Sequence, residues 1–407
     1  MRRLKVIGHE DPVTSEPLLV LQLHAADEPF LPRLDSFECH DVTEGFFPFI
    51  PLFLSPRTTD IRISFAQSPA TIAVASIITM FPMLCPNLTF IVIRDIKRDP
   101  VIINAVSRML LACNPDSLKA FLVDSPLTEE AREVFYRLPK LYGLWMIIEE
   151  HTMLPQVELP NLFSIDIEYK DLDWLQGFRG VALEKLQWAF FRSESEQIGD
   201  FLGTFERFAL EASVQNTLSR FGFYTSRSCN PNYSSLLSFK QLKELEILLS
   251  CDEGCSSRVD DDTITSLAQA MPKLEVLQLG GTPCGVPTGV TVHGLIFLAS
   301  HCLHLSKLGI HFRGDSLADA AASAATTPRP IDELIVPREE CALTELEVGS
   351  IPLPKQSATR VTLVLLQIFP RILNIKSSTP EWEEIAEKIR ERVAGGGVGA
   401  GHSLEDS

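Results

Sequence analysis

Pro86-Asn87-Leu88-Thr89-Phe90-Ile91-Val92-Ile93 holds the pattern on which the fold of this chain turns. An apolar residue is followed by two variable positions, a second apolar residue, one variable position and a third apolar residue. The same unit, with proline two places ahead of its first apolar residue, recurs at Pro139-Lys140-Leu141 through Met146, Pro160-Asn161-Leu162 through Ile167 and Pro272-Lys273-Leu274 through Leu279. Weaker copies begin at Leu34, Thr58, Leu118, Leu183, Leu218, Leu242, Leu305, Leu343 and Ile372. One copy would mean nothing; thirteen spread along the chain define a period.

The thirteen anchors span 338 residues, about 28 per repeat, with individual spacings from 21 (Leu141 to Leu162) to 38 (Leu305 to Leu343). That period is the one leucine-rich repeats use, roughly 20–29 residues. In a regularly pleated strand the first and second apolar residues would point to opposite faces. The chain must therefore turn into the strand, so that all three enter one core. No repeat buries that face alone, and stacking on neighbours supplies the partner surface. At about 2 kcal/mol per buried aliphatic side chain, three per repeat make the array's main stabilising term.

Between strands the period becomes helical. Asp99 can cap a helix starting at Pro100, where a missing N–H is harmless, and Val101, Ala105, Met109 and Cys113 then recur every four residues. Thr128-Glu129-Glu130 opens a second helix with acids in its first turn, and Asp262 before Thr263 opens another. The uncharged stretch Ile63–Ile93 is broken by Pro69, Pro82 and Pro86; it reads as a buried helix followed by a strand, since a bilayer span needs about 20 apolar residues.

These readings predict an α/β fold: a leucine-rich-repeat solenoid with strands on the concave face and helices on the convex face. Residues 1–30 are expected to be an irregular amino-terminal segment and 31–378 the repeat array. Thr379-Pro380-Glu381, with Trp382, Ile385, Ile389 and Val393 on one stripe, predicts a capping helix over 379–393, and the glycine-rich 394–407 a disordered tail. Ala318–Pro330 reads as a surface loop that accounts for the longest spacing. Whether the irregular spacings divide the array near residues 192–217 is left open by the pattern.

Composition sets the outer limits. With 36 basic against 53 acidic residues the net charge is −17, which disfavours a phosphate-backbone partner. Nine cysteines, odd in number and scattered, suit reduced thiols in cytosol or nucleus better than a disulfide framework. Met1-Arg2-Arg3-Leu4-Lys5 is not followed by the apolar core of a signal peptide. No membrane or nucleic-acid partner is expected.

Chemistry-bearing constellations are few. Cys251-Asp252-Glu253-Gly254-Cys255 has ligand-like spacing but no second matched pair for zinc. His301, His304 and His311 surround Cys302, yet the repeat spreads them along a bend. Asp260-Asp261-Asp262 is explained by capping and solvation; Gly280-Gly281-Thr282-Pro283-Cys284-Gly285 lacks the lysine and hydroxyl of a phosphate loop. No Gly-x-Ser-x-Gly or His-Glu-x-x-His element occurs. The expectation is no enzyme activity, no cofactor and no metal.

Three repeats carry a cysteine ahead of the strand: Cys85-Pro86-Asn87-Leu88-x-x-Ile91-x-Ile93, Cys302-Leu303-His304-Leu305-x-x-Leu308-x-Ile310, and Cys113 ahead of Leu118. This resembles the cysteine-containing repeat class of F-box proteins. Phe46-Phe47-Pro48-Phe49-Ile50-Pro51-Leu52-Phe53-Leu54-Ser55-Pro56 resembles the start of the repeat region in a large fungal F-box family, and the likeness spans roughly residues 30–390. The resemblance implies the substrate-recognition arm of an SCF-type ubiquitin ligase, with a Skp-family adaptor and a cullin as partners if an F-box module exists upstream. Residues 1–30 depart from the family: they contain no Leu-Pro-x-Glu-like helical module. Either the module was lost or a longer chain carries it, and a free-standing scaffold or inhibitor is the alternative.

Function is then expected on the outward variable positions of the strands. The slot between the second and third apolar residues reads Val92, Leu122 and Trp145, then Asp166, Gln187, Gly222, Glu246, Gln278, Gly309 and Glu347. The early strands add Phe90, Tyr142 and Phe163. The face is therefore expected to be apolar and aromatic early and acidic later, with Phe90, Val92, Leu122, Tyr142, Trp145 and Phe163 as a patch for an unknown protein partner.

Overall fold

The computed structural model describes residues 2–395 except 8–18, 21–28, 43, 66–70, 97, 149–158, 170–182, 184, 194–200, 226–230, 250–258, 281–288, 315, 319–340, 349–352, 354–357 and 378. Its contacts cluster into two compact units, Met1–Arg192 with Leu210–Val214, and Ser193–Ala209 with Gln215–Ser407. The division falls where the spacing pattern left the question open.

In the first unit the strands are β1 (Arg3–Ile7), β2 (Ser36–Val42), β3 (Asp60–Phe65), β4 (Phe90–Arg94), β5 (Ala120–Val123), β6 (Gly143–Ile148), β7 (Ser164–Tyr169) and β8 (Trp188–Ser193), lying side by side in that order. In the second they are β9 (Arg220–Thr225), β10 (Glu244–Leu249), β11 (Val276–Leu279), β12 (Lys307–Ile310), β13 (Glu345–Glu347) and β14 (Asn374–Lys376), again in chain order. Neighbouring strands pair parallel, in register from one repeat to the next. This is an α/β leucine-rich-repeat architecture.

Hydrogen bonds show how the chain turns into each strand. The carbonyl of Thr59 accepts two consecutive N–H groups, Thr89 at 2.8 Å and Phe90 at 3.0 Å. The carbonyl of Thr89 does the same for Lys119 and Ala120, that of Lys119 for Tyr142 and Gly143, and that of Tyr142 for Phe163 and Ser164. The second unit repeats the device at Lys243, Glu275, Ser306 and Thr344. Two donors on one acceptor swing the residue after each anchor out of the pleat. Anchor and second apolar residue then reach the same core: Leu88, Ile91 and Ile93 are all buried.

Side chains close the remaining polar groups between repeats, as buried backbone groups require. Thr58 donates its hydroxyl to the Leu34 carbonyl at 3.0 Å, Ser117 to Leu88 at 2.8 Å, and the Asn161 amide to Pro139 at 2.8 Å. Helices lie between strands, among them Thr71–Leu84, Pro100–Ala112, Asp261–Ala270 and Val292–His301. Asp99 caps the second of these, accepting from the N–H groups of Val101 at 2.9 Å and Ile102 at 3.0 Å. A separate aromatic cluster, Phe201, Phe205, Phe221, Phe223 and Phe239, holds β9 to its neighbours in the second unit. The carboxy-terminal helix runs Pro380–Gly395, with Trp382, Ile385 and Ile389 buried and Trp382 edge-on to Phe312.

Four sequence expectations are corrected. The irregular 1–30 segment contains β1, whose short Leu4/Val6 alternation and lack of an anchor hid it; Arg3 to Ile7 pair with Ser36 to His40. The seventh anchor is Leu186, not Leu183, because the Leu186 N–H closes the pre-strand turn on the Leu183 carbonyl at 2.9 Å. The next helix is capped by Asp260, not Asp262: a cap must reach three residues ahead, and Asp260 accepts from the Thr263 N–H at 2.9 Å. Asp261 instead accepts from the N–H and hydroxyl of Thr291 on the following repeat. On Pro100–Ala112 the buried face is Ile102, Ala105, Val106, Met109 and Leu110, while Val101 is exposed, since a four-residue step drifts off a 3.6-residue turn. The Ala318–Pro330 loop lies, but for Ala318, outside the described residues, and so does the 394–407 tail beyond Gly395. No described helix is long and apolar enough to cross a membrane.

Candidate functional site

Parallel register sets the variable side chains in rows across the first unit. One row runs Glu38, Arg62, Val92, Leu122, Trp145, Asp166 from β2 to β7. A second runs Ser36, Asp60, Phe90, Ala120, Gly143, Ser164. Val92, Leu122 and Trp145 are thus direct neighbours, and all six patch residues are half-buried on the open sheet face.

The small residues Ala120 and Gly143 matter here. With only a methyl group at Ala120 and a hydrogen at Gly143, Phe90 and Tyr142 meet edge-to-face with centroids 5.7 Å apart. Phe163 packs on Trp188 at 5.4 Å. Trp188 and Phe190 reach this face because the strand starts from Leu186; the residue expected between the second and third apolar slots, Gln187, instead sits beside Phe163, bonding its carbonyl at 2.9 Å. The aromatic stretch therefore extends one strand further than the sequence pattern indicated.

Trp145 is held between two guanidinium groups, Arg94 at 4.9 Å and Arg192 at 5.3 Å from the ring centroid. Such contacts contribute about 0.5–1 kcal/mol at exposed sites and fix the indole. Arg192 is itself anchored to Asp166 at 3.2 Å. Burial pushes the Asp166 carboxyl above its ordinary pKa, with Arg192 opposing. Burial likewise raises Asp124, opposed by the Asp95 N–H that donates to it at 3.1 Å. The indole N–H of Trp145 is buried without an acceptor among the described residues.

The arginines escaped the sequence reading because Arg94 lies two positions past the slot read at Val92 and Arg192 five past the one read at Gln187, where the motif demands nothing. The second unit carries ion pairs from strand to strand. Arg220 pairs with Glu244 at 3.1 Å, Lys243 with Glu275 at 2.7 Å, and Glu345 takes both Lys307 at 3.5 Å and Lys376 at 2.8 Å. Tyr224 donates its hydroxyl to Glu246.

The other constellations do not form sites among the described residues. Cys251, Cys255 and Cys284 lie outside them. No group of three His, Cys, Asp or Glu is arranged to hold a metal. His301 stacks on Phe297 at 4.0 Å in the last helical turn, and His304 is exposed in the following turn. Cys39, Cys85, Cys113, Cys302 and Cys341 are free and buried. Burial lifts the first four thiols to about 12, far from the thiolate form that reacts.

No family model matches the chain, and no curated protein matches it. Among solved structures it is similar to an internalin (inlF) of Listeria monocytogenes, at 12% identity and TM-score 0.44, covering 93% of this chain and 87% of that one. A yeast Rad7 and Elc1 complex gives a chain 12% identical, at TM-score 0.34, covering 89% and 82%.

Proposed function

We propose that this chain is a protein-recognition module whose partner docks on the open sheet face of the first unit. The observation that carries the reading is the block of six apolar and aromatic side chains, Phe90, Val92, Leu122, Tyr142, Trp145 and Phe163, on β4–β6 and at the entries of β6 and β7. Half-buried and held by neighbours, they lose little conformational freedom on binding, which is what an interface anchor requires.

On the resemblance of the cysteine-bearing repeats, we propose further that the partner is a substrate and the chain the receptor arm of an SCF-type ubiquitin ligase. A free-standing scaffold or inhibitor is the rival. Affinity purification of the intact chain from its own cells, read by mass spectrometry, separates the two. A Skp-family adaptor and a cullin recovered with a substrate support the receptor. Stoichiometric partners without them support the scaffold, and no stoichiometric protein partner contradicts both.

A further inference from the structure

At the edge of the aromatic patch, where the strands begin, an open pocket of about 570 Å³ is lined by Lys119, Lys140, Tyr142, Asn161, Phe163 and Lys185. Three of the chain's thirteen lysines converge there, in a protein of net charge −17. All three are exposed. None has a carboxylate partner among the described residues; Lys185 donates only to the Asn161 amide oxygen at 2.6 Å. Elsewhere Lys5, Lys243, Lys307, Lys376 and Lys388 each pair with a glutamate. Two of the lining residues are aromatic, Tyr142 and Phe163, and their rings pack on Phe90 and Trp188.

We propose that this pocket binds an acidic peptide segment of the partner, an apolar side chain resting on Tyr142 and Phe163 while flanking Asp or Glu carboxylates meet the three lysines. The inference rests on the reading of the first unit's face as the docking surface and names the chemistry of what docks. Charge complementarity supplies the argument: three cations with no carboxylate partner among the described residues, gathered beside aromatic rings, attract carboxylates and steer their approach. A nucleic acid fits poorly, because its backbone sets a charge every few ångströms over a long track and needs many cations to match it. Three lysines inside an acidic molecule match a short segment.

Selection of a random dodecapeptide display library against the full-length chain tests this, with Lys119→Glu/Lys140→Glu/Lys185→Glu as the comparison. The three side chains are exposed, and matched thermal melting confirms that the variant folds. The expected result is enrichment of net-negative peptides carrying an apolar residue, binding the variant about tenfold or more weakly and losing affinity as salt rises. The neutral variant Lys119→Gln/Lys140→Gln/Lys185→Gln falls between the two. Neutral peptides that ignore the lysines but are lost with Leu122→Asp overturn the pocket assignment while leaving the docking face standing. Failure to enrich any acidic peptide also overturns it, as does a dimer of the wild type that the lysine variant abolishes, which would make a second copy the occupant.

Discussion

The two units use one backbone device and write opposite surfaces on it. In each, a carbonyl takes two N–H groups at one strand entry after another, and the repeats turn their apolar side chains inward. Outward, the first unit presents Val92, Leu122 and Trp145 in the row where the second presents Glu246, Gln278 and Glu347. At the row's edge the first unit gathers Lys119, Lys140 and Lys185 around one pocket with no carboxylate partner among the described residues, whereas in the second Lys243, Lys307 and Lys376 pair with Glu275 and Glu345 and Lys273 meets the Gln241 amide oxygen. The same inward pattern is compatible with a surface open to a partner and with one satisfied by itself. On the proposed function, stability and recognition are written at separate positions.

The sharpest way to break that separation is to cut the inward set. Phe121 is buried edge-on to Phe135 at 5.3 Å, and Phe121→Ala should destabilise by about 3–5 kcal/mol. Because repeats contact chiefly their neighbours, hydrogen exchange should rise over β4–β6 and stay unchanged over β10–β12. Equal loss of protection in both units would show that the division is not energetic.

Trp145→Ala comes next. It should weaken a copurifying partner at least tenfold, about 1.4 kcal/mol or more, while changing stability by about 1 kcal/mol. Partner retention with full stability would remove the indole from the interface.

Asp260→Ala should cost about 1 kcal/mol by thermal melting, through loss of the Thr263 N–H bond. Asp262→Ala should cost only a few tenths, since it caps nothing. This pair shows where the sequence was legible and where it was not. The repeat anchors were readable because three apolar slots recur with proline ahead of many of them. Leu186 was misplaced to Leu183 because both frames fill their slots, Leu183-x-x-Leu186-x-Trp188 against Leu186-x-x-Ala189-x-Phe191; only the turn hydrogen bond distinguishes them. The cap was displaced for a similar reason, three adjacent aspartates offering three equivalent starts. The aromatic patch was legible because it occupies motif positions. The lysines were not, since they stand 21 to 45 residues apart, two of them just ahead of an anchor and one just behind.

Smaller still are the charge effects. Glu345→Gln strips one partner from both Lys307 and Lys376, yet these pairs are exposed and should contribute well under about 1 kcal/mol each; partner binding should not change. Hydrogen bonds from His40 and then Lys5 hold Glu38 down to about 2, against an ordinary 4.5. A depressed carboxyl stabilises the fold above its unfolded value, and that stability is lost as pH falls from about 4.5 towards about 2. Glu38→Gln should therefore melt lower than the wild type at pH 6, with the difference vanishing towards pH 2.

The most direct test of the account sets one outward substitution in each unit against the other. Intact wild type, Trp145→Ala and Gln278→Ala are used as baits in the same extract, with recovered partners quantified by mass spectrometry and each bait's melting temperature measured alongside. The account predicts that Trp145→Ala loses at least nine-tenths of the main partner while Gln278→Ala retains it. Equal retention by both, or loss confined to Gln278→Ala, would contradict the assignment of recognition to the first unit.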